Sequence, residues 1–271
     1  MSATACPPTA ALPRPRARSL FLPKEHGSWS LTLEPVALGL LVAPSLGAGG
    51  LALVATSLFL ARRPVKLALD LDAPAARRLP AAGTVALFGA LATAGFVLAV
   101  QPGGFTALWP LAFALPFAGM FALFDAQGLG RTAFAEIAGA TAYAAIPAAC
   151  ATLAGWSSPA ALALGSLVLL RSVPAVVLVR GCLRRRKYDD TLVARLGVFL
   201  AAAALIAVMP LALTHAVPPL AAVAVALLFF RSLWFVTPAA RTWSAKRLGL
   251  TEAVIGIGYL GLLALAYARL R

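Results

Sequence analysis

Long apolar runs divided by short loops constrain this chain more than any other feature. Nine such segments stand out, at roughly 28–45, 47–61, 82–100, 105–124, 133–154, 159–180, 192–211, 217–236 and 250–268. A helix needs about 20 mostly apolar residues to cross a bilayer core of about 30 Å. Of the 271 residues, 61% are hydrophobic and 12% charged, whereas a soluble domain carries about 25% charged residues. Lipid offers no partner to a backbone N–H or C=O, so the segments are expected to be helices. The alternating pattern of a membrane barrel is absent. The second segment is the shortest, and an eight-span arrangement with the first two merged into a re-entrant pair is the competing count. The expected fold is an all-α, polytopic membrane bundle of about nine transmembrane helices, one domain over 21–271. Residues 1–20, rich in arginine and lacking a long apolar core, read as a disordered basic arm rather than a signal peptide.

The formal net charge of +14 would suit a nucleic-acid partner, but its distribution argues against one. The basic residues fall in short blocks between apolar segments. With nine spans, the N-terminal arm, "ARRPVKLALDLDAPAARR", "DAQGLGR", "RGCLRRRKYDD" and "RTWSAKR" lie on one side, and each contains Arg or Lys. The opposite loops, "APSLGAGG", "QPGG", "GWSSP" and "PLALTHAVPP", contain none. The positive-inside rule then places the first set and the N-terminus in the cytoplasm, with the chain in the plasma membrane and lipids as its surroundings. Cys6, Cys150 and Cys182 lack metal-ligand spacing and read as free thiols. All nine acidic residues fall in the cytoplasmic loops or the cytoplasmic half of a span. That pattern fits either salt bridges on a basic surface or one polar site opening to the cytoplasm.

Three charges lie deep inside spans. Arg171 precedes Arg180 by nine residues and Arg231 precedes Arg241 by ten, which sets them about 13 Å and 15 Å into their helices. Glu34, ten residues after Lys24, enters from the same side to a depth of about 15 Å. Charges at that depth face the bundle interior and find partners, so Glu34 is expected to pair with Arg171 or Arg231. Two arginines to one carboxylate would leave surplus guanidinium charge, which suits a phosphate or diphosphate. The structural alternative is one ion pair and one snorkelling arginine. Glu136 and Glu252, each five residues after a basic-loop arginine, read as acids at helix N-termini.

Two loops carry paired aspartates, Asp70 with Asp72 and Asp189 with Asp190. Carboxylates facing each other across a cavity could hold a diphosphate through Mg²⁺. Alternatively, they moderate basic loops. His26, the only histidine on that side, is a candidate general base or phosphate contact.

The element "PKEHGSW", Pro23 to Trp29, resembles the opening "P-[KN]-x-H-G-[AS]-W" of the YwiC-like family of bacterial membrane proteins, which brings no established activity with it. The order of the aspartate loops, after the second and sixth spans, also resembles UbiA-type intramembrane prenyltransferases. "KYDDTLVARLG" is similar to their second aspartate motif. Both motifs depart from theirs: the first lacks the leading Asn and carries its aspartates two apart, and the second has adjacent aspartates rather than a four-residue step. The UbiA resemblance implies a protein that binds or transfers an isoprenoid or other lipid diphosphate. Asp70, Asp72, Asp189 and Asp190 would then hold Mg²⁺, Arg171 and Arg231 would neutralise phosphate, and His26 and Glu34 would act catalytically on the acceptor side. The other reading is a non-catalytic transporter or lipid-binding protein in which Glu34, Arg171 and Arg231 form a substrate or gating ion pair.

Overall fold

The computed structural model describes residues 26–269, with side chains from Trp29 onward. The arm at 1–20 and the His26 side chain lie outside the described residues. Among the described residues nine α-helices follow one another: α1 (His26–Val42), α2 (Leu46–Leu69), α3 (Ala75–Val100), α4 (Pro110–Ala126), α5 (Ala133–Leu153), α6 (Ser158–Tyr188), α7 (Leu192–Leu213), α8 (Pro219–Phe235) and α9 (Ala245–Ala268). Short 3₁₀ turns lie at Phe105–Leu108 and Pro238–Ala240. No strand occurs among the described residues. Each apolar run of the sequence has become one helix. Five of them, α3, α5, α6, α7 and α9, are long and apolar enough to cross a membrane, while α1, α4 and α8 are shorter apolar helices.

Several helices outrun their apolar segments at the basic end. Helix α2 continues through Arg62, Arg63 and Lys66 to Leu69, α6 runs on to Tyr188, and α9 starts at Ala245. Arg, Lys, Leu and Ala are good helix formers, so a helix does not stop where hydropathy falls. It stops at its caps. Asp70 closes α2 in an extended conformation, and Asp189 closes α6 in the left-handed region at φ 57°. The Ser244 hydroxyl opens α9 by accepting the Arg247 N–H.

Helix α6, the longest, is also the most enclosed, packing against α5, α7, α8 and α9. Helix α1 lies between α2, α5 and α9, whereas α3 rests mainly on α2 at the edge. Leu38, Val42, Leu51, Leu164, Leu167, Val208 and Leu263 fill the core, cemented by alanines such as Ala144 and Ala161. Small residues at these contacts let membrane helices approach closely. Many large apolar side chains, among them Phe113, Phe199, Ile206 and Ile257, are exposed, as expected of surfaces that face lipid.

The basic loops gather at one end of the bundle through a series of side-chain contacts. Arg62 and Lys66 of α2 hold Asp125 at the end of α4. Arg180 of α6 holds Glu136 at the start of α5. Arg185 donates to the carbonyls of Val236 and Thr237 beyond α8. Arg241 reaches Asp189. At the other end the contacts are uncharged: Thr152 donates to the Ala107 carbonyl at 2.6 Å, and Trp156 packs on Tyr267. The division into basic and uncharged loops is therefore a division between the two ends of the bundle.

Candidate functional site

The structure pairs Glu34 with Arg171. Nη2 of Arg171 lies 2.8 Å from Oε1 and Nη1 lies 2.8 Å from Oε2, a bidentate bridge between α1 and α6. The side chains are 12% and 5% exposed. The same Nη2 donates to the main-chain carbonyl of Glu252 on α9 at 3.3 Å. That carbonyl is reachable because the residue one turn later is Gly256. A Cβ there would sit 2.2 Å from both Arg171 Nη2 and Glu34 Oε1.

Arg231 pairs with the Glu252 carboxylate, joining α8 to α9. This corrects the expectation of surplus positive charge: two guanidiniums meet two carboxylates, and the cluster is neutral. It also corrects the reading of Glu252 as a helix-terminal acid. Helix α9 begins at Ala245, so Glu252 lies two turns inside it. Glu252 joins the pairs, since its carbonyl receives Arg171 and its carboxylate receives Arg231. The Tyr259 ring lies 6.0 Å from the Arg171 guanidinium and its hydroxyl donates to the Leu167 carbonyl. The Phe235 ring lies 5.5 Å from that of Arg231. In lipid such charge pairing is the arrangement that makes buried charge tolerable, although Nε of each arginine is left without a hydrogen-bond partner among the described residues. Glu34, Arg171, Ser172 and Tyr259 line a void of about 10 Å³, at the lower limit for one water molecule.

The paired aspartates do local work. Asp70 Oδ1 accepts the Asp72 N–H in the turn after α2, and both residues are exposed. Asp189 accepts from Arg241 at 2.7 Å. Asp190 bridges to Arg184 at 2.8 Å and accepts the Leu192 N–H that opens α7. Among the described residues no three or more of His, Cys, Asp and Glu gather to hold a metal ion. Glu136, in the first turn of α5, holds Arg180.

Asp125 escaped attention in the sequence because it sits at a loop edge. It is 7% exposed and receives Arg62 Nε at 2.9 Å, with Lys66 Nζ 2.7 Å from Oδ1. The two partners are partly exposed, which weakens each contact. Replacing Asp125 with Ala removes the carboxylate from two cations, although Lys66 keeps its 2.8 Å bond to the main-chain carbonyl of residue 125, and is expected to cost about 2 kcal/mol, read as a lowered thermal midpoint in detergent. An unchanged midpoint would mean that solvent already satisfies Arg62 and Lys66.

A bundle whose helices are apolar enough for a bilayer, with Glu34 and Glu252 each paired to a buried arginine, defines an integral membrane protein. Residues 22–151, a little under half of the chain, match the family model described as YwiC-like protein, in agreement with the "PKEHGSW" element. The matched part contains Glu34 and Asp125, whereas Arg171, Arg231 and Glu252 lie beyond it. No curated protein and no solved structure matches the chain, so the UbiA resemblance rests on the sequence features alone.

Proposed function

We propose that this protein is a non-catalytic carrier in the plasma membrane, with its basic loops and N-terminus in the cytoplasm, and that the Glu34–Arg171 and Arg231–Glu252 pairs are its gate. The orientation follows from the positive-inside rule. The observation that supports the gate is that the two pairs link α1 to α6 and α8 to α9, with Arg171 also reaching the Glu252 carbonyl, beside a space for one water lined by α1, α6 and α9. Separating those helices requires new partners for the charges. A proton can neutralise a carboxylate, and an incoming anion can take the place of a carboxylate on a guanidinium. A pair that exchanges partners in this way is a common use of ionisable residues within membranes. Transfer of a lipid diphosphate would instead require room for that group beside Arg171 and Arg231, and aspartates free to hold Mg²⁺. The filled cluster and the local contacts of Asp70, Asp72, Asp189 and Asp190 favour the carrier.

The test uses Ser172, which lines the void. In a chain whose native cysteines are replaced by serine, Ser172→Cys is reconstituted in sided liposomes and exposed to an impermeant thiol reagent. A gate predicts slow labelling from either side and faster labelling when Glu34→Gln weakens the pair. No labelling from either side, with or without Glu34→Gln, would make the cluster a static part of the core.

A further inference from the structure

Three arginines are buried among the described residues: Arg171, Arg185 and Arg231. Two of them face carboxylates. Arg185, 7% exposed, has none within ion-pair distance among the described residues. Its Nη1 and Nη2 donate to the Val236 and Thr237 carbonyls at 2.5 and 3.0 Å. Its Nε is buried without a hydrogen-bond partner, as are those of Arg171 and Arg231, so what sets Arg185 apart is the missing carboxylate. The C-terminus of α8 supplies the equivalent of about half a negative charge. The remainder of the guanidinium charge is uncompensated, in a setting where an unpaired charge is costly.

Beside Arg185 lies a cavity of about 180 Å³, lined also by Thr191, Ala194, Arg195 and Val236. This far exceeds the roughly 10–15 Å³ that holds one water, and falls below the roughly 300–1,000 Å³ of sites for drug-sized ligands. The local packing builds it. Gly181 and Gly197 let α6 and α7 touch backbone to backbone: a Cβ on Gly181 would meet the Ala194 nitrogen at 2.3 Å, and one on Gly197 the Leu178 nitrogen at 2.7 Å. This contact sets the first turn of α7 against Arg185. Thr191 and Arg195 are four residues apart, the spacing of one helical face. The Thr191 hydroxyl caps no N–H. Arg195 is exposed and makes no ion pair among the described residues. The acids close in sequence are engaged elsewhere, Asp189 with Arg241 and Asp190 with Arg184. From Arg180 to Arg195 the sequence has six basic and two acidic residues.

We infer that this cavity is an anion site sized for a single phosphate group, with Arg185 as its buried anchor and Arg195 and Thr191 as further contacts. Two guanidiniums and a hydroxyl line the cavity, each Nη of Arg185 retains a second N–H beyond its carbonyl contact, and charge-assisted bonds to phosphate are among the strong ones. The ligand chemistry is a phosphomonoester or inorganic phosphate, reaching the site as a free solute or as a lipid headgroup. The site is separate from the four charges of the gate and does not depend on the carrier reading.

The test is calorimetric titration of inorganic phosphate into the full-length protein in detergent, with chloride as background. The expected result is saturable binding with a dissociation constant on the order of 1 mM or tighter, weakened at least tenfold in Arg195→Gln and partly restored in Arg195→Lys. Because Arg195 is exposed, these variants keep the fold, whereas Arg185→Gln also removes the contacts to Val236 and Thr237. Repeating the titration in nanodiscs separates the sources. Weaker phosphate binding in discs containing phosphatidic acid than in discs of phosphatidylcholine alone identifies a lipid headgroup as occupant. Equal binding identifies a soluble phosphate. No saturable binding in detergent or in phosphatidylcholine discs overturns the inference, as does Arg195→Gln binding phosphate like the unaltered chain.

Discussion

Replacing Glu34 with Ala is expected to lower stability by about 3–5 kcal/mol, the usual consequence of removing one partner from a buried ion pair. Arg171 would keep a 3.3 Å contact to the Glu252 carbonyl but lose both carboxylate contacts in a place water barely reaches. The effect should therefore greatly exceed that of an exposed pair such as Arg241–Asp189, where both side chains are more than half exposed and such bridges contribute about 0–1 kcal/mol. Thermal melts of the detergent-solubilised protein compare the two directly. Because Asp189 caps α6 at φ 57°, the surface pair is broken from its other side, and similar losses for Glu34→Ala and Arg241→Ala would mean that the interior pair is solvated as well as the surface one.

Gly256→Ala should be nearly as damaging, although it adds only a methyl group. That methyl would stand 2.2 Å from Arg171 Nη2 and from Glu34 Oε1, so the bridge must shift or break. Overpacking of a core typically costs about 1–3 kcal/mol. The weakened ion pair adds to it, for an expected total of about 2–4 kcal/mol. Gly258 and Gly261 provide internal controls on the same helix. Nothing lies within 4 Å of a Cβ built at either. Alanine at these positions should be neutral or stabilising by up to about 1 kcal/mol, the helix-propensity difference between the two residues. A Gly256→Ala variant as stable as Gly258→Ala would show that α9 does not hold the pair in place.

The helices were legible because lipid leaves few alternatives: every long apolar run had to close its own backbone hydrogen bonds. Their ends were less so. Hydropathy falls where arginines and lysines begin, but these residues continue a helix readily, and α2, α6 and α9 all extend into basic sequence. That is also why Glu252 was misplaced. Counted from the start of its apolar run it looked terminal, yet Ser244 opens the helix two turns earlier. A charge tally would have exposed it, since two arginines at mid-span call for two carboxylates and few acids lie in the spans. The pairing of Glu34 could be read from depth alone. Gly256 could not, because its role exists only where three helices meet. Arg185 was hidden among neighbouring basic residues: Arg184 and Arg186 point to Asp190 and to the Trp243 carbonyl, and only packing distinguishes the residue between them as buried.

The central claim is that Glu34 and Arg171 stabilise the bundle through each other, and a double-mutant cycle measures this most directly. Glu34→Leu, Arg171→Met and the two together are compared with the unaltered chain by unfolding in detergent. If the pair is buried and mutual as its geometry indicates, each single change leaves a stranded charge while the double change leaves none. The double variant should then be more stable than either single one, with a coupling of about 2–3 kcal/mol, within the range seen for contacting residues. Additive losses, with coupling within about 0.5 kcal/mol of zero, would contradict the account.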